Sequence, residues 1–162
     1  MPLEKAFVHV EDRGFQFADS VYEVLRTYGG TLFAVEEHLD RLERSLAAID
    51  LTLPLARKEL GAALQELVRR GGFEEAVVYL QVSRGSAPRH RGIPAHAKPT
   101  VVMTVRSLPR APDRLEAKAI SVITLPDERW ARCDIKSVGL LANVLAYHAA
   151  KKAGAEIGRA HV

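Results

Sequence analysis

The sequence predicts an α+β fold, on three observations. Two β-rich runs flank a Gly29-Gly30 pair. Leucine-rich stretches at helical spacing follow. Apolar runs of strand length then alternate with loops. Residues 8–10 ("VHV") form a short alternating piece. Residues 21–28 ("VYEVLRTY") and 31–35 ("TLFAV") read as a hairpin, because glycine supplies the positive φ that a tight turn needs. Leu39, Leu42, Leu46 and Ile49 recur at helical spacing, so residues 36–49 are expected to form an amphipathic helix, with Glu36 and Glu37 suiting its N-terminus. Leu60, Ala63, Leu64, Leu67 and Val68 mark a second helix that ends at Gly71-Gly72.

Residues 76–82 ("AVVYLQV") and 100–105 ("TVVMTV") are predicted strands. The loop between them, residues 84–99, carries three prolines and several basic side chains, which argues against regular structure there. Residues 108–115 are rich in proline and charge and read as a linker. Residues 119–125 ("AISVITL") are a third expected strand. Ser137 is expected to cap a helix bearing Val138, Leu141, Val144, Leu145 and His148, with Lys151 and Lys152 in its last turn and Gly154 after it. One strand and one helix cannot close a core, so this second unit must pack onto the first or belong to a larger domain.

Composition narrows the function. The net charge of +3 is small and the basic residues are scattered, which argues against nucleic acid. Arg69-Arg70 and Lys151-Lys152 instead fall near predicted helix C-termini, where they complement the macrodipole. One cysteine, Cys133, excludes a disulfide framework and a multi-cysteine metal site. No run suits a membrane span, and the N-terminus shows no signal-peptide pattern. A soluble cytoplasmic protein is the expectation.

Lys136, in "RCDIKSVGLL" (132–141), is the residue with chemistry to explain. An amine is nucleophilic only when unprotonated, and an ordinary lysine is protonated near neutral pH. A reactive lysine therefore needs burial or neighbouring positive charge. Ile135 and Trp130 offer apolar cover, Arg129 and Arg132 offer charge, and a helix start after Ser137 would add a positive dipole end. Asp134 works the other way. Taken on these residues alone, a solvated lysine remains the commoner reading.

Four stretches change that balance: "EDRGFQFADSVYEVLRTYGG" (11–30), "FAVEEHLDRLERS" (33–45), "QVSRGSAPR" (81–89) and "RWARCDIKSVGLLANVLA" (129–146). Together, in order and spacing, they resemble class IV pyridoxal-phosphate aminotransferases, most closely the D-amino-acid branch. The resemblance implies the small N-terminal domain of a fold-type IV enzyme plus the start of the larger cofactor-binding domain. It implies that Lys136 condenses with pyridoxal 5'-phosphate and then serves as general acid and base. Arg41 would bind the cofactor phosphate, for which a guanidinium fork is suited. Tyr22 would line the substrate pocket, its ordinary alternative being a core tyrosine. Arg89 would bind the substrate carboxylate from the neighbouring subunit of a homodimer. The D-amino-acid pattern places histidine two residues after that arginine. Here Arg91 holds the slot and His90 stands one place early, so Arg91 joins the expected substrate site and bears on substrate choice.

The expected organisation is a small α+β domain over 1–108, a linker over 109–115, an incomplete start of the cofactor domain over 116–155, and a probable non-native tail over 156–162. Family members run further, through the acid that pairs with the pyridine nitrogen and the loops completing the phosphate site. The family's usual first strand is also expected to be absent. The tail "EIGRAHV" matches nothing in the family and reads like a translated sequencing adaptor. A chain so truncated is expected to bind cofactor poorly and turn over little. Other readings are a branched-chain or amine transaminase, a lyase of the same fold, or a non-catalytic dimerising fragment.

Overall fold

The computed structural model describes residues 1–110 and 119–156, which fall in two units. The first comprises Met1–Arg110 and Asp134–Val138, and the second Ala111–Cys133 and Gly139–Val162. The expected linker lies mostly, and the expected tail almost wholly, outside the described residues.

After a 3-10 turn at Leu3–Lys5, the first unit runs α1 (Arg13–Phe17), β1 (Ser20–Tyr28), β2 (Thr31–Leu32), α2 (Val35–Ala47), α3 (Arg57–Gly71), β3 (Ala76–Ser83) and β4 (Thr100–Ser107). The strands form one antiparallel sheet in the order β2-β1-β3-β4. Strand alternation gives β1 and β3 a buried face of Val21, Leu25, Val78, Leu80 and Val82. That face packs with Leu39, Leu42 and Leu46 of α2 and Leu60, Leu64 and Val68 of α3. Each such side chain contributes about 1.5–3 kcal/mol by leaving water. Glu59 accepts from the Ala56 amide at 3.0 Å to start α3, and Gly72 ends it in the left-handed region.

Three expectations change in the first unit. Residues 8–10 form no strand. The hairpin's second strand shortens from 31–35 to Thr31–Leu32, because Ala34 turns to φ 52° and Val35 starts α2. Residues 12–18 carry no periodic signal, yet Asp12 caps the short α1 by accepting from the Gly14 amide at 2.8 Å. Five residues are too few to show a period.

Residues 134–138 were assigned from sequence to the second unit, yet they cluster with the first. They pair antiparallel alongside the start of β1, away from the end where β2 pairs: Tyr22 N–H donates to Lys136 O at 3.0 Å, Val138 N–H donates to Ser20 O at 3.2 Å, and Val21 bridges Ser137. Ile135 sinks into the core at 5% exposure. Ser137 is thus extended backbone and not a helix cap, and the expected dipole behind Lys136 is absent at that place. In the second unit, α4 (Leu141–Lys152) begins after Leu140 with no side-chain cap. Its stripe of Leu141, Val144 and Leu145 is exposed, and Ala150 is the residue it buries. The strand expected over 119–125 reduces to an isolated bridge at Val122, since a strand persists only with a paired neighbour.

The loop at 84–99 is pinched at its neck. Gly85 has φ 89°, and a Cβ there would lie 1.8 Å from Lys98 O. Gly29, in the hairpin turn, has φ 55° but open space around it. Gly29→Ala is expected to cost about 1–2 kcal/mol of stability from left-handed strain alone. Gly85→Ala should cost more in urea unfolding, because strain and a backbone clash combine. Equal losses would contradict the pinched neck.

Candidate active site

Alternation along β1 sends Tyr22 and Glu23 to opposite faces of the sheet. Glu23 faces α2 and is fully buried. A carboxylate in that position must be paired, because desolvating an isolated charge costs several kcal/mol. Helical spacing supplies the partners, since His38 and Arg41 lie one turn apart on α2. Arg41 Nε donates to Oε1 at 2.7 Å and Nη2 to Oε2 at 2.6 Å, and His38 Nδ1 lies 2.8 Å from Oε2. Burial pushes the Glu23 carboxyl up, but hydrogen bonds and charge from Arg41 and His38 outweigh it and hold it below its ordinary value. The bond to Glu23 likewise raises Arg41. The pair orients the guanidinium and leaves Nη1 without a protein partner among the described residues, on a side chain 44% exposed.

On the other face, the Lys136 ammonium sits 4.3 Å from the Tyr22 ring centroid. The Lys136 backbone amide donates to Ser45 Oγ at 3.2 Å, one helical turn beyond Arg41. Tyr22 stacks on Tyr79 with centroids 5.6 Å apart. Tyr79 donates to Gln81 Oε1 at 2.7 Å, and Gln81 Nε2 donates to Ser20 Oγ at 2.9 Å. Burial, with Tyr22 adding to it, raises the Tyr79 hydroxyl, so that group stays protonated.

The structure therefore joins Lys136, Tyr22 and Arg41 through β1 and α2. Arg89 and Arg91 lie apart, exposed in the 84–99 loop, and neither bonds to those three. Glu23, His38 and Ser45 were missed in the sequence. Glu23 was findable: it falls in phase with Val21 and Leu25, so a strand reading already places a charge in the core. His38 and Ser45 carry no such signal in one sequence. Among the described residues, no helix is long and apolar enough to cross a membrane, and no His/Cys/Asp/Glu cluster could hold a metal.

The family model of amino-transferase class IV matches residues 20–158. The D-alanine aminotransferase of Bacillus licheniformis is 42% identical over 156 residues, covering 96% of this chain and 54% of that protein. The one from Listeria monocytogenes serotype 4b (strain F2365) is 44% identical over 155 residues, covering 94% and 53%. The chain thus spans about half the length of the curated relatives it matches. Among solved structures, the branched-chain amino acid aminotransferase of Escherichia coli superposes with a TM-score of 0.81 at 22% identity, covering 96% of this chain and 55% of that one. A hypothetical aminotransferase from Mycobacterium tuberculosis in its PLP-bound form gives 0.77 at 22%, covering 96% and 56%. At those identities the likeness establishes the shared fold.

Glu23 links this geometry to pH. Its folded-state carboxyl is held below the ordinary 4.5, so its stabilisation is full above that value and is lost as pH falls through the lowered one. Glu23→Gln should lower stability near neutral pH by about 1–3 kcal/mol, Arg41 being partly solvated. The gap between variant and wild type should narrow on acidification below 4.5. A gap that stays constant into acid would show that the charge on Glu23 is not what stabilises the pair.

Proposed function

The chain belongs to the class IV aminotransferase family, and from that membership we propose that its protein moves an amino group between an amino acid and a 2-oxo acid with pyridoxal 5'-phosphate. D-alanine or a related D-amino acid is the proposed donor, supported by the 42–44% identity to D-alanine aminotransferases. The observation that carries the reading is the pairing of a lysine amine over Tyr22 with an arginine fork set by buried Glu23.

The residues fit the cofactor. Arg41 Nη1 has no hydrogen-bond partner among the described residues and belongs to a half-exposed side chain, as suits a phosphate ligand, and Lys136 offers a primary amine beside an aromatic wall. When bound, pyridoxal phosphate supplies an aldehyde that condenses with amines and a ring that accepts electron density. Arg41 would hold the phosphate, its other two nitrogens being committed to Glu23. Lys136 Nζ would hold the cofactor and, once released, take and return the α-proton of the amino acid. Tyr22, braced by Tyr79, would form one wall and exclude water from that proton. Arg89 and Arg91 would bind the substrate carboxylate, acting across a homodimer. Arg91, in the place of the expected histidine, adds charge that suits an acidic acceptor. The proposed location is the cytoplasm.

Incubating the chain with pyridoxal phosphate at a concentration high enough to offset the weak binding expected of it, reducing with borohydride and mapping peptides should place the label at Lys136, and Lys136→Ala should remove it. Arg41→Ala should raise the half-labelling concentration about tenfold or more through loss of a charge-assisted contact. A label spread evenly over the surface lysines would sink the assignment.

A further inference from the structure

A second buried charge cluster lies at the base of the 84–99 loop, and the proposed chemistry gives it no role. Arg13, on α1, is nearly buried, with a side chain 5% exposed. Its Nε donates to Asp19 Oδ2 at 2.8 Å, and its Nη1 donates to the His90 carbonyl at 2.6 Å. Asp19 is shared: Arg84 Nε also donates to Oδ2 at 2.8 Å, and Arg84 Nη2 donates to Oδ1 at 3.0 Å. Arg84 in turn donates to Ile49 O at 2.6 Å and Asp50 O at 3.0 Å, tying the cluster to the turn after α2. The Arg13 backbone amide donates to Gly85 O at 2.9 Å, at the pinched neck. Phe17, at the end of α1, lies against both guanidinium groups, 4.8 Å from Arg13 Cζ and 5.0 Å from Arg89 Cζ.

We propose that Arg13 is a positioning residue for the carboxylate-binding loop: it grips the loop at Gly85 and at His90, between Arg89 and Arg91, and with Phe17 sets where those two arginines point. The inference rests on the proposed role of Arg89 and Arg91 as carboxylate ligands. The chemistry requires an arginine. One planar guanidinium can bond a carboxylate and a carbonyl in fixed directions, whereas a lysine ammonium is a point charge on a flexible stem. Asp19 serves both arginines, so the grip is braced from the core. The loop is otherwise exposed, and an exposed arginine gains a fixed aim only from what its backbone is fastened to.

The test uses the full chain with Arg13→Lys, which keeps the charge beside Asp19, and with Phe17→Leu, which removes the ring but none of the hydrogen-bonding groups of the buried cluster. Deuterium uptake over residues 86–93 should quicken about tenfold in Arg13→Lys, the loss of one charge-assisted bond. Uptake over 136–138 and reductive labelling of Lys136 should stay within about twofold. The half-saturation for pyruvate, followed by ligand-observed NMR, should rise about tenfold in both variants as the arginines lose their aim. Unchanged loop uptake in Arg13→Lys overturns the grip, whatever pyruvate does. A loosened loop with unchanged pyruvate affinity overturns the positioning role. No pyruvate binding by the wild-type chain overturns instead the carboxylate reading of Arg89 and Arg91.

Discussion

A buried carboxylate held between an arginine and a histidine organises the polar network of the first unit. Glu23 is fully buried, and a charge so placed is tolerable only with its partners in position. Its strand phase is fixed by Val21 and Leu25, which share the core. Its partners are fixed by α2, whose Leu39, Leu42 and Leu46 lock that helix to the sheet. The apolar core thus sets the distance at which Arg41 meets Glu23, and Glu23 sets the direction in which Arg41 points.

The same strand carries the second half of the site. Tyr22 is one residue from Glu23 and faces the other way, and its backbone amide is the donor that fastens Lys136. A lysine distant in sequence is thereby held alongside β1, with Ser45 of α2 accepting its amide hydrogen. Arg41 and Lys136 are coupled through one β-strand and one helix face, both rigid elements, which suits groups that must keep a fixed separation.

Much of this was legible in the sequence. Leucine spacing located α2 to within two residues at each end and marked α3, whose end at Gly71 the glycines signalled, and the glycine pair located the hairpin, because those signals are local. What failed was non-local. Ser137 carries the chemistry of a cap, but pairing with Val21 outweighed that preference. The run at 119–125 has strand composition and only an isolated bridge, since β structure is a property of pairs. Lys136, Arg41, Tyr22, Arg89 and Arg91 came from motif resemblance and not from periodicity. The network behind them, from Glu23 and His38 to Arg13 and Asp19, depends on which distant residues meet, and of these only Glu23's phase in the strand left a trace.

The proposed aiming of Arg41 at a phosphate by Glu23 is tested most directly by a comparison of two aldehydes. Pyridoxal phosphate and pyridoxal differ in the phosphate alone, so the ratio of their affinities reports the phosphate contact. Titrated into wild type and Glu23→Gln, the account predicts that the preference for pyridoxal phosphate drops about tenfold in the variant while pyridoxal affinity holds. A preference that survives the loss of the Glu23 charge would contradict it.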